Sequence, residues 1–304
     1  MRTLVVGAGA TGGYYGGRLA EAGRDVTFLV RPARAERLRA EGLQIVSPHG
    51  HLTLRPKLVT TGERLLNYDV VLLALKAFAL ESALADMAGA VGPATMIVPV
   101  LNGMRHLDIL DERFGADAVL GGLCLISATI DERGRIVQMT PAHDISYGER
   151  SGAISARIRA LDGLMQGAGF NAHASDSILP DMWEKWVTLA ALGGITCLMR
   201  GTIGDVAAAP GGAAFASAFL AECAAAALAC GWPQTEEFLT RSRAAMTRTG
   251  SPLASSMYRD LQAGNDVEAD QILGDLVERA HAAGVATPLL ATAYTHLKVY
   301  QARR

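Results

Sequence analysis

Short apolar runs alternate with amphipathic segments along the first half of the chain, a pattern typical of β-strands alternating with α-helices. The predicted strands cover residues 3–7, 25–30, 69–75 and 95–100, and the predicted helices cover 11–22 and 32–41. The runs at 69–75 and 95–100 are apolar throughout, as in strands that are covered on both faces of a parallel sheet.

Polar and apolar positions alternate with a period of two over 43–46 and 52–59, on either side of Pro48-His49-Gly50, which predicts a β-hairpin. Further strand-like segments predict antiparallel additions at the edge of the sheet; they cover 119–130, 136–139 and 145–147. A helix over 154–168 and a short strand over 170–173 complete this half of the chain.

Strand patterns end near residue 176, and the rest of the chain carries helical spacing interrupted by Gly or Pro. The predicted helices cover 178–198, 211–230, 235–247, 252–263, 267–283 and 288–301. The pattern therefore predicts an α/β domain over residues 1–174, followed by an all-α domain over residues 175–304.

The amino-acid composition argues against several classes of protein. Lys and Arg number 28 and Asp and Glu number 30, a balance that argues against a non-specific binder of nucleic acid or anionic membranes. The apolar run Ala213–Ala229 is mostly alanine and contains Glu222, which favours a packed helix over a membrane span. Four scattered cysteines without a CxxC pair indicate reduced thiols, no metal site and a cytoplasmic location.

A glycine-rich motif follows the first predicted strand and opens the first predicted helix; it reads Gly7-Ala8-Gly9-Ala10-Thr11-Gly12. In this context Gly7 permits a tight turn, Gly9 lets the backbone approach a pyrophosphate, and Gly12 lets the helix pack closely on the strand. The phosphates would lie at a helix N-terminus, where free N–H groups favour anions. The motif predicts a Rossmann-type dinucleotide-binding domain.

Arg31 stands at the end of the second predicted strand, where folds that prefer NAD place an Asp or Glu. A carboxylate would repel a ribose 2′-phosphate, whereas a guanidinium can bind it with two hydrogen bonds. Arg34 and Arg37 follow one and two helical turns later. NADPH is therefore the expected cofactor.

Three further residues could bind a ligand or take part in catalysis. Lys76 and Asn102 follow two predicted strands, and the carboxyl ends of parallel strands are where ligands bind in open α/β sheets. Lys185 lies between two tryptophans in an otherwise apolar helix, where its ammonium could stabilise a developing oxyanion and donate a proton.

These motifs together resemble the ketopantoate reductases (2-dehydropantoate 2-reductases), over essentially the whole chain and in order. Besides the glycine motif and Arg31, the matching segments are Leu75-Lys76-Ala77-Phe78, Asn102-Gly103-Met104, Trp183-Glu184-Lys185, Ser255-Ser256-Met257 and Glu268. The resemblance implies NADPH-dependent reduction of ketopantoate to pantoate in pantothenate biosynthesis. It implies Lys185 as the proton donor and Ser256 as a substrate ligand. It also places four residues against the cofactor or the substrate: Lys76, Asn102, Ala128 and Glu268, the last with a catalytic role.

The sequence departs from this family where asparagines are expected to line the substrate pocket. The corresponding positions hold apolar or absent side chains: Leu189, Gly193, Ile203 and Leu253. One alternative is therefore a family member that reduces a more apolar 2-oxo acid in the manner of a D-2-hydroxyacid dehydrogenase. Thr188, Thr196 or Arg200 could instead supply replacement polar contacts.

A non-catalytic NADP(H)-binding regulator is a third alternative, although it would not need a proton donor at Lys185. In each case the expected partner is a small molecule rather than nucleic acid or a membrane. A homodimer is left open by the sequence.

Overall fold

The computed structural model describes all 304 residues. Contacts between Cα atoms divide the chain into two compact units, the first being 1–101 with 106–179 and the second 102–105 with 180–304. The expected boundary at 174/175 stays a prediction about where separable domains begin.

The first unit holds all ten strands. They are β1 (Arg2–Val6), β2 (Asp25–Val30), β3 (Leu43–Val46), β4 (Leu52–Leu54), β5 (Lys57–Thr60), β6 (Val70–Leu73), β7 (Met96–Pro99), β8 (Gly121–Ile130), β9 (Ile136–Gly148) and β10 (Asn171–Ala174).

The α-helices alternate with strands in the first half of the chain and follow one another in the second. They are α1 (Ala10–Glu21), α2 (Pro32–Glu41), α3 (Leu80–Met87), α4 (Arg105–Phe114), α5 (Ala156–Met165), α6 (Ile178–Met199), α7 (Ile203–Ala208), α8 (Gly212–Ala229), α9 (Glu236–Met246), α10 (Ser256–Gln262), α11 (Asp275–Ala282) and α12 (Pro288–Ala302). A π-helical turn, Asp270–Gly274, leads directly into α11. The predicted α/β half followed by a helical half is confirmed.

A five-stranded parallel sheet, in the order β5-β2-β1-β6-β7, forms the centre of the first unit. The strands β6 and β7 are buried along their whole length, as their continuous apolar sequences predicted. The chain leaves β1 towards β2 on one side and later pairs β6 on the other. The strand order therefore reverses beside β1, which is where open α/β sheets bind ligands.

The predicted strand over 52–59 is wrong as a single element. Pro56 interrupts it: β4 pairs antiparallel with β3 in the predicted hairpin, whereas β5 joins the parallel sheet beside β2. Proline lacks the N–H that a continuous ladder needs, so the chain changes sheets there.

The predicted antiparallel additions at the edge of the parallel sheet instead belong to a second sheet, in the order β10-β9-β3-β4. Among these additions, only the β8–β9 pair is antiparallel as expected, because β9 pairs with β3 in parallel. The segments 136–139 and 145–147 belong to the single strand β9, and β10 pairs with it in parallel.

In the second unit, α8 is the central helix, with α7, α9, α11 and α12 packed around it. By length and mean hydropathy this 18-residue helix could span a membrane, although Phe219 and Cys223 are fully buried within the unit. Glu222 accepts hydrogen bonds from the backbone N–H groups of Leu289 (2.9 Å) and Leu290 (3.1 Å) at the start of α12. A carboxylate at a helix N-terminus satisfies otherwise unpaired donors. The predicted packed helix is therefore an integral part of this unit.

Candidate functional site

The glycine motif forms a tight turn between β1 and α1. Gly7 has a φ of +97°, and a Cβ there would lie 2.8 Å from the carbonyl oxygen of Ala74. A Cβ on Gly12 would lie 2.1 Å from the carbonyl oxygen of Gly7. Both positions therefore need glycine, one for its φ and both for the close approach of backbone.

Gly9 differs from these two glycines because nothing in the protein lies within 4 Å of its Cβ position. It is the N-cap of α1, and no side chain caps the first turn of that helix. The free N–H groups of Ala10, Thr11 and Gly12 therefore lie at a helix N-terminus next to open space, which suits a pyrophosphate.

A cavity of about 380 Å³ opens at this end of the parallel sheet. Its walls come from the segments that follow β1, β2 and β6, and they include Gly7, Ala8, Gly9, Arg31 and Lys76. These are the carboxyl ends of adjacent strands at the point where the strand order reverses. The glycine cradle and the cavity together fit the nucleotide part of a dinucleotide.

Arg31 and Arg34 both line this cavity, but only the guanidinium group of Arg34 is hydrogen-bonded within the protein. The Arg31 side chain is exposed and makes no hydrogen bond or ion pair within the protein. Arg34 donates from Nε to the carbonyl of Ala8 (3.2 Å) and from Nη1 to that of Gly134 (3.3 Å). Burial, and then the nearby charge of Arg37, lower the pKa of Arg34. Arg31 is thus free for a ligand, whereas Arg34 ties the glycine loop to the turn between β8 and β9.

Lys76 and Phe78 follow β6 and line the same cavity. Phe78 is 61% exposed there, unusual for so large an apolar side chain. Ala128 is half-buried on β8, where it pairs with Gln138 beside a register shift in the ladder. It is not part of the cavity wall.

In the second unit, Lys185 lies on α6 between the buried rings of Trp183 and Trp186. Its side chain is half-buried, and its ammonium makes no hydrogen bond or ion pair within the protein. Buried charges are normally paired, so an unpaired, partly buried ammonium is suited to an anionic or strongly polar ligand.

Asn102 and Glu268 come together although they are 166 residues apart: the Asn102 Nδ2 group lies 3.5 Å from the Glu268 Oε2 atom. The Glu268 side chain is buried. Gly103 has a φ of +77°, and a Cβ there would lie 2.3 Å from the carbonyl oxygen of Gln271. Glycine after Asn102 therefore allows this turn to approach the backbone next to Glu268.

Ser256 is the first residue of α10, and it is half-buried with no hydrogen bond from its side chain. The preceding Ser255 caps the helix by accepting from the N–H of Tyr258 (2.9 Å). Beyond α10, Gly264 has a φ of +70°, and the helix ends there. Ser256 and Glu268 are therefore on separate helical segments, because the chain turns at Gly264.

The four positions expected to hold pocket asparagines differ in their surroundings: Leu253 is exposed and Leu189 is half-buried, whereas the other two are buried. Ile203 is completely buried, and a Cβ on Gly193 would lie 2.7 Å from Met257 Cε. The hydroxyl protons of the two threonines on α6 already have acceptors within the unit: Thr188 donates to the Glu184 carbonyl, and Thr196 is bonded to the Leu192 carbonyl and to Ser255. Their hydroxyl groups are used inside the helical unit.

The sequence reasoning missed the roles of Arg34 and of the π-helical turn. The position of Arg34, one turn after Arg31, was visible, but nothing in the sequence indicated its bonds to Ala8 and Gly134. The π-helical turn has no distinguishing residue pattern, since it reads as part of a continuous amphipathic helix.

Two family descriptions match the chain: "Ketopantoate reductase PanE/ApbA" over residues 3–152 and its C-terminal counterpart over residues 177–301. The uncharacterized oxidoreductase YkpB of Bacillus subtilis is 38% identical, with all of both chains covered. A 2-dehydropantoate 2-reductase of Halobacterium salinarum is 29% identical over 96% of each chain.

Among solved structures, a 2-dehydropantoate 2-reductase from Methylococcus capsulatus is 29% identical with a TM-score of 0.87, covering 100% of this chain and 97% of the other. A D-mandelate dehydrogenase in complex with NADH and anilino(oxo)acetate shares the fold, at 20% identity and a TM-score of 0.89, with 100% and 99% covered.

Proposed function

Because the chain belongs to the ketopantoate reductase family of oxidoreductases, we propose that it reduces a 2-oxo acid to a 2-hydroxy acid with NADPH. Ketopantoate is the first substrate to test, which would place the protein in pantothenate biosynthesis in the cytoplasm. The observation that carries the proposal is the half-buried, unpaired ammonium of Lys185, since a fold that only binds a nucleotide has no need of it.

The proposed cofactor site is the glycine loop with the cavity beside it. The N–H groups at the start of α1 would hold the pyrophosphate, and Lys76 lines the same cavity. The guanidinium of Arg31 has no partner in the protein and would bind a ribose 2′-phosphate, which supports NADPH over NADH. Ala128, near the bulge of β8, is proposed as a further contact. When bound, the cofactor supplies a hydride to the carbonyl carbon.

In the proposed mechanism, Lys185 donates the proton that the carbonyl oxygen needs as hydride arrives at carbon. Its ammonium also stabilises the negative charge that develops on that oxygen. The product is the alcohol, with one C–H and one O–H bond formed and the carbonyl π bond lost. Asn102 and Glu268 would orient the reactants beside this lysine, and the free hydroxyl of Ser256 would bind the substrate.

A second candidate is a 2-oxo acid with an apolar or aromatic side chain. Leu189, Gly193 and Ile203 offer no amide to the primary hydroxyl of ketopantoate, and the nearby threonine hydroxyls are already bonded. Burying that hydroxyl without a partner costs about 1–3 kcal/mol, or roughly tenfold to a hundredfold in specificity.

One assay tests these proposals: NADPH oxidation with ketopantoate and with branched and aromatic 2-oxo acids, repeated with Lys185→Ala. We expect Lys185→Ala to reduce kcat by about a hundredfold or more, with unchanged NADPH affinity. A clear preference for ketopantoate would reject the apolar-substrate candidate. NADPH binding without turnover of any acid would reject both and favour a cofactor-binding regulator.

A further inference from the structure

The π-helical turn Asp270–Gly274 lies at the start of the helical segment that follows Glu268 and continues as α11. The N–H of Asp275 donates to the carbonyl of Asp270, five residues earlier rather than four. Such a turn widens the helix by one residue, and π-turns are often found at functional sites. Here it begins two residues after Glu268, whose carbonyl accepts from the N–H of Ile272 (3.1 Å).

The turn is joined to the helix that carries Lys185. The indole Nε1–H of Trp186 donates to the carbonyl oxygen of Ile272 over 3.0 Å, and both residues are almost completely buried. Trp186 follows Lys185 directly in α6. This hydrogen bond therefore fixes the rotation of α6 at Lys185 relative to the segment that carries Glu268.

The same turn also supports Asn102. Its Gln271 carbonyl lies where a side chain on Gly103 would be, so the turn after Asn102 packs directly against π-helical backbone. From α12, the hydroxyl of Tyr294 (2.6 Å) and the ammonium of Lys298 (3.0 Å) bind the Asp270 carboxylate. Backbone of one five-residue turn thus contacts the segments of Lys185, Glu268 and Asn102.

We propose that the π-helical turn is the positioning element of the substrate-side site, and that Trp186 and Gly103 are its positioning residues. They touch neither substrate nor cofactor; they act through Lys185, Asn102 and Glu268. The inference rests on the proposed function, since it assumes that those three residues serve the reaction. A displacement of about 1 Å at reacting groups can reduce a rate by up to about a hundredfold.

The first test compares Trp186→Phe with Trp183→Phe. Both changes keep an aromatic ring at a buried position of α6, but only Trp186 donates a hydrogen bond to the turn. We expect Trp186→Phe to lower kcat about tenfold or more, with NADPH affinity unchanged, and Trp183→Phe to retain kcat within about twofold. Hydrogen exchange should accelerate in peptides covering residues 268–276 only for Trp186→Phe.

The second test compares Gly103→Ala with Gly264→Ala, in case loss of the tryptophan prevents folding. Both glycines have positive φ, +77° and +70°, so both alanines carry similar backbone strain. Only the alanine at 103 collides with the turn, because nothing lies within 4 Å of a Cβ at Gly264. We expect Gly103→Ala to lower kcat and to accelerate exchange at 268–276, and Gly264→Ala to do neither.

If both members of a pair fold and have the same kcat, whether Trp186→Phe and Trp183→Phe or Gly103→Ala and Gly264→Ala, the inference is wrong. The proposed function is not affected by that result. An inactive wild-type protein would instead defeat the proposed function. The exchange measurement needs no turnover, so unchanged exchange at 268–276 in both Trp186→Phe and Gly103→Ala would separately show that the turn is not held as proposed.

Discussion

The two candidate binding regions of this protein are built in opposite ways. The glycine loop of the first unit is one continuous segment whose function depends on backbone and on the absence of side chains. The substrate-side residues of the second unit come from four separate segments, which hold Asn102, Lys185, Ser256 and Glu268. Their placement depends on side chains, on the close approach at Gly103 and on one irregular turn. Close backbone contacts surround Gly7 and Gly12 in the first region, so a methyl group added at either position should disrupt the turn. In the second region the expected loss differs between residues that act on the reactants and residues that support them.

The largest effect is expected at the glycine loop. Gly12→Ala places a methyl group 2.1 Å from a backbone oxygen, which should destabilise the fold by about 3 kcal/mol or more. Gly9→Ala meets no protein atom, so it should cost only about 1 kcal/mol yet still abolish NADPH binding. Thermal unfolding and cofactor titration of both variants check this. Full NADPH affinity in Gly9→Ala would mean that the loop is not the pyrophosphate site.

A smaller effect is expected for Arg31, the side chain that is proposed to select NADPH over NADH. Arg31→Asp should weaken NADPH relative to NADH by about tenfold to a hundredfold, because a charge-assisted hydrogen bond is replaced by repulsion. Arg39→Asp is the control: it is also exposed on α2 but does not line the cavity. The ratio of the two dissociation constants is the measurement. If Arg31→Asp and Arg39→Asp change this ratio by the same factor, the effect is one of general charge and not of a contact with the 2′-phosphate.

In the helical unit, Leu189→Asn should shift selectivity towards ketopantoate by about tenfold over an aromatic 2-oxo acid, since it supplies an amide at a half-buried position four residues from Lys185. Leu198→Asn, also half-buried and on the opposite side of α6, is the matched control. The measurement is kcat/KM for both acids. Selectivity that stays the same in Leu189→Asn would place the substrate side chain elsewhere.

The smallest effect concerns the support of the π-helical turn. Although burial opposes it, hydrogen bonds from Tyr294 and Lys298 lower the pKa of Asp270. A carboxyl whose pKa is lower in the folded state stabilises the fold above its unfolded value, near pH 4, and this contribution is lost as the pH falls through the folded value. Lys298→Met should thus cost at most about 1 kcal/mol at pH 7, because the pair is half-exposed, and less at pH 3.

Urea unfolding at the two pH values checks that difference. Lys57→Met, which removes the exposed pair with Asp25 (2.7 Å), provides the comparison. A loss for Lys298→Met that is the same at pH 3 as at pH 7 would attribute it to packing rather than to charge.

The same contrast explains what could be predicted from the sequence. The glycine loop, Arg31 and the apolar strands were predictable because local spacing encodes them. The division of residues 52–59 between two sheets depends on which neighbours each strand meets, and period-two alternation does not specify a neighbour. Likewise, the Trp186 hydrogen bond joins residues 86 positions apart, and a widened helical turn carries the same apolar spacing as a regular helix. Long-range partners of this kind are fixed by tertiary packing, not by local propensity.

The Glu222 carboxylate has a consequence for how the chain can be shortened. Its oxygens accept hydrogen bonds from the first N–H groups of α12. Removing residues 288–304 would therefore delete more than the apolar contacts of the final helix. It would also remove the two N–H groups that the Glu222 carboxylate accepts from in the folded protein. Arg304 is exposed, so the C-terminus should accept a fused tag far more readily than it accepts truncation.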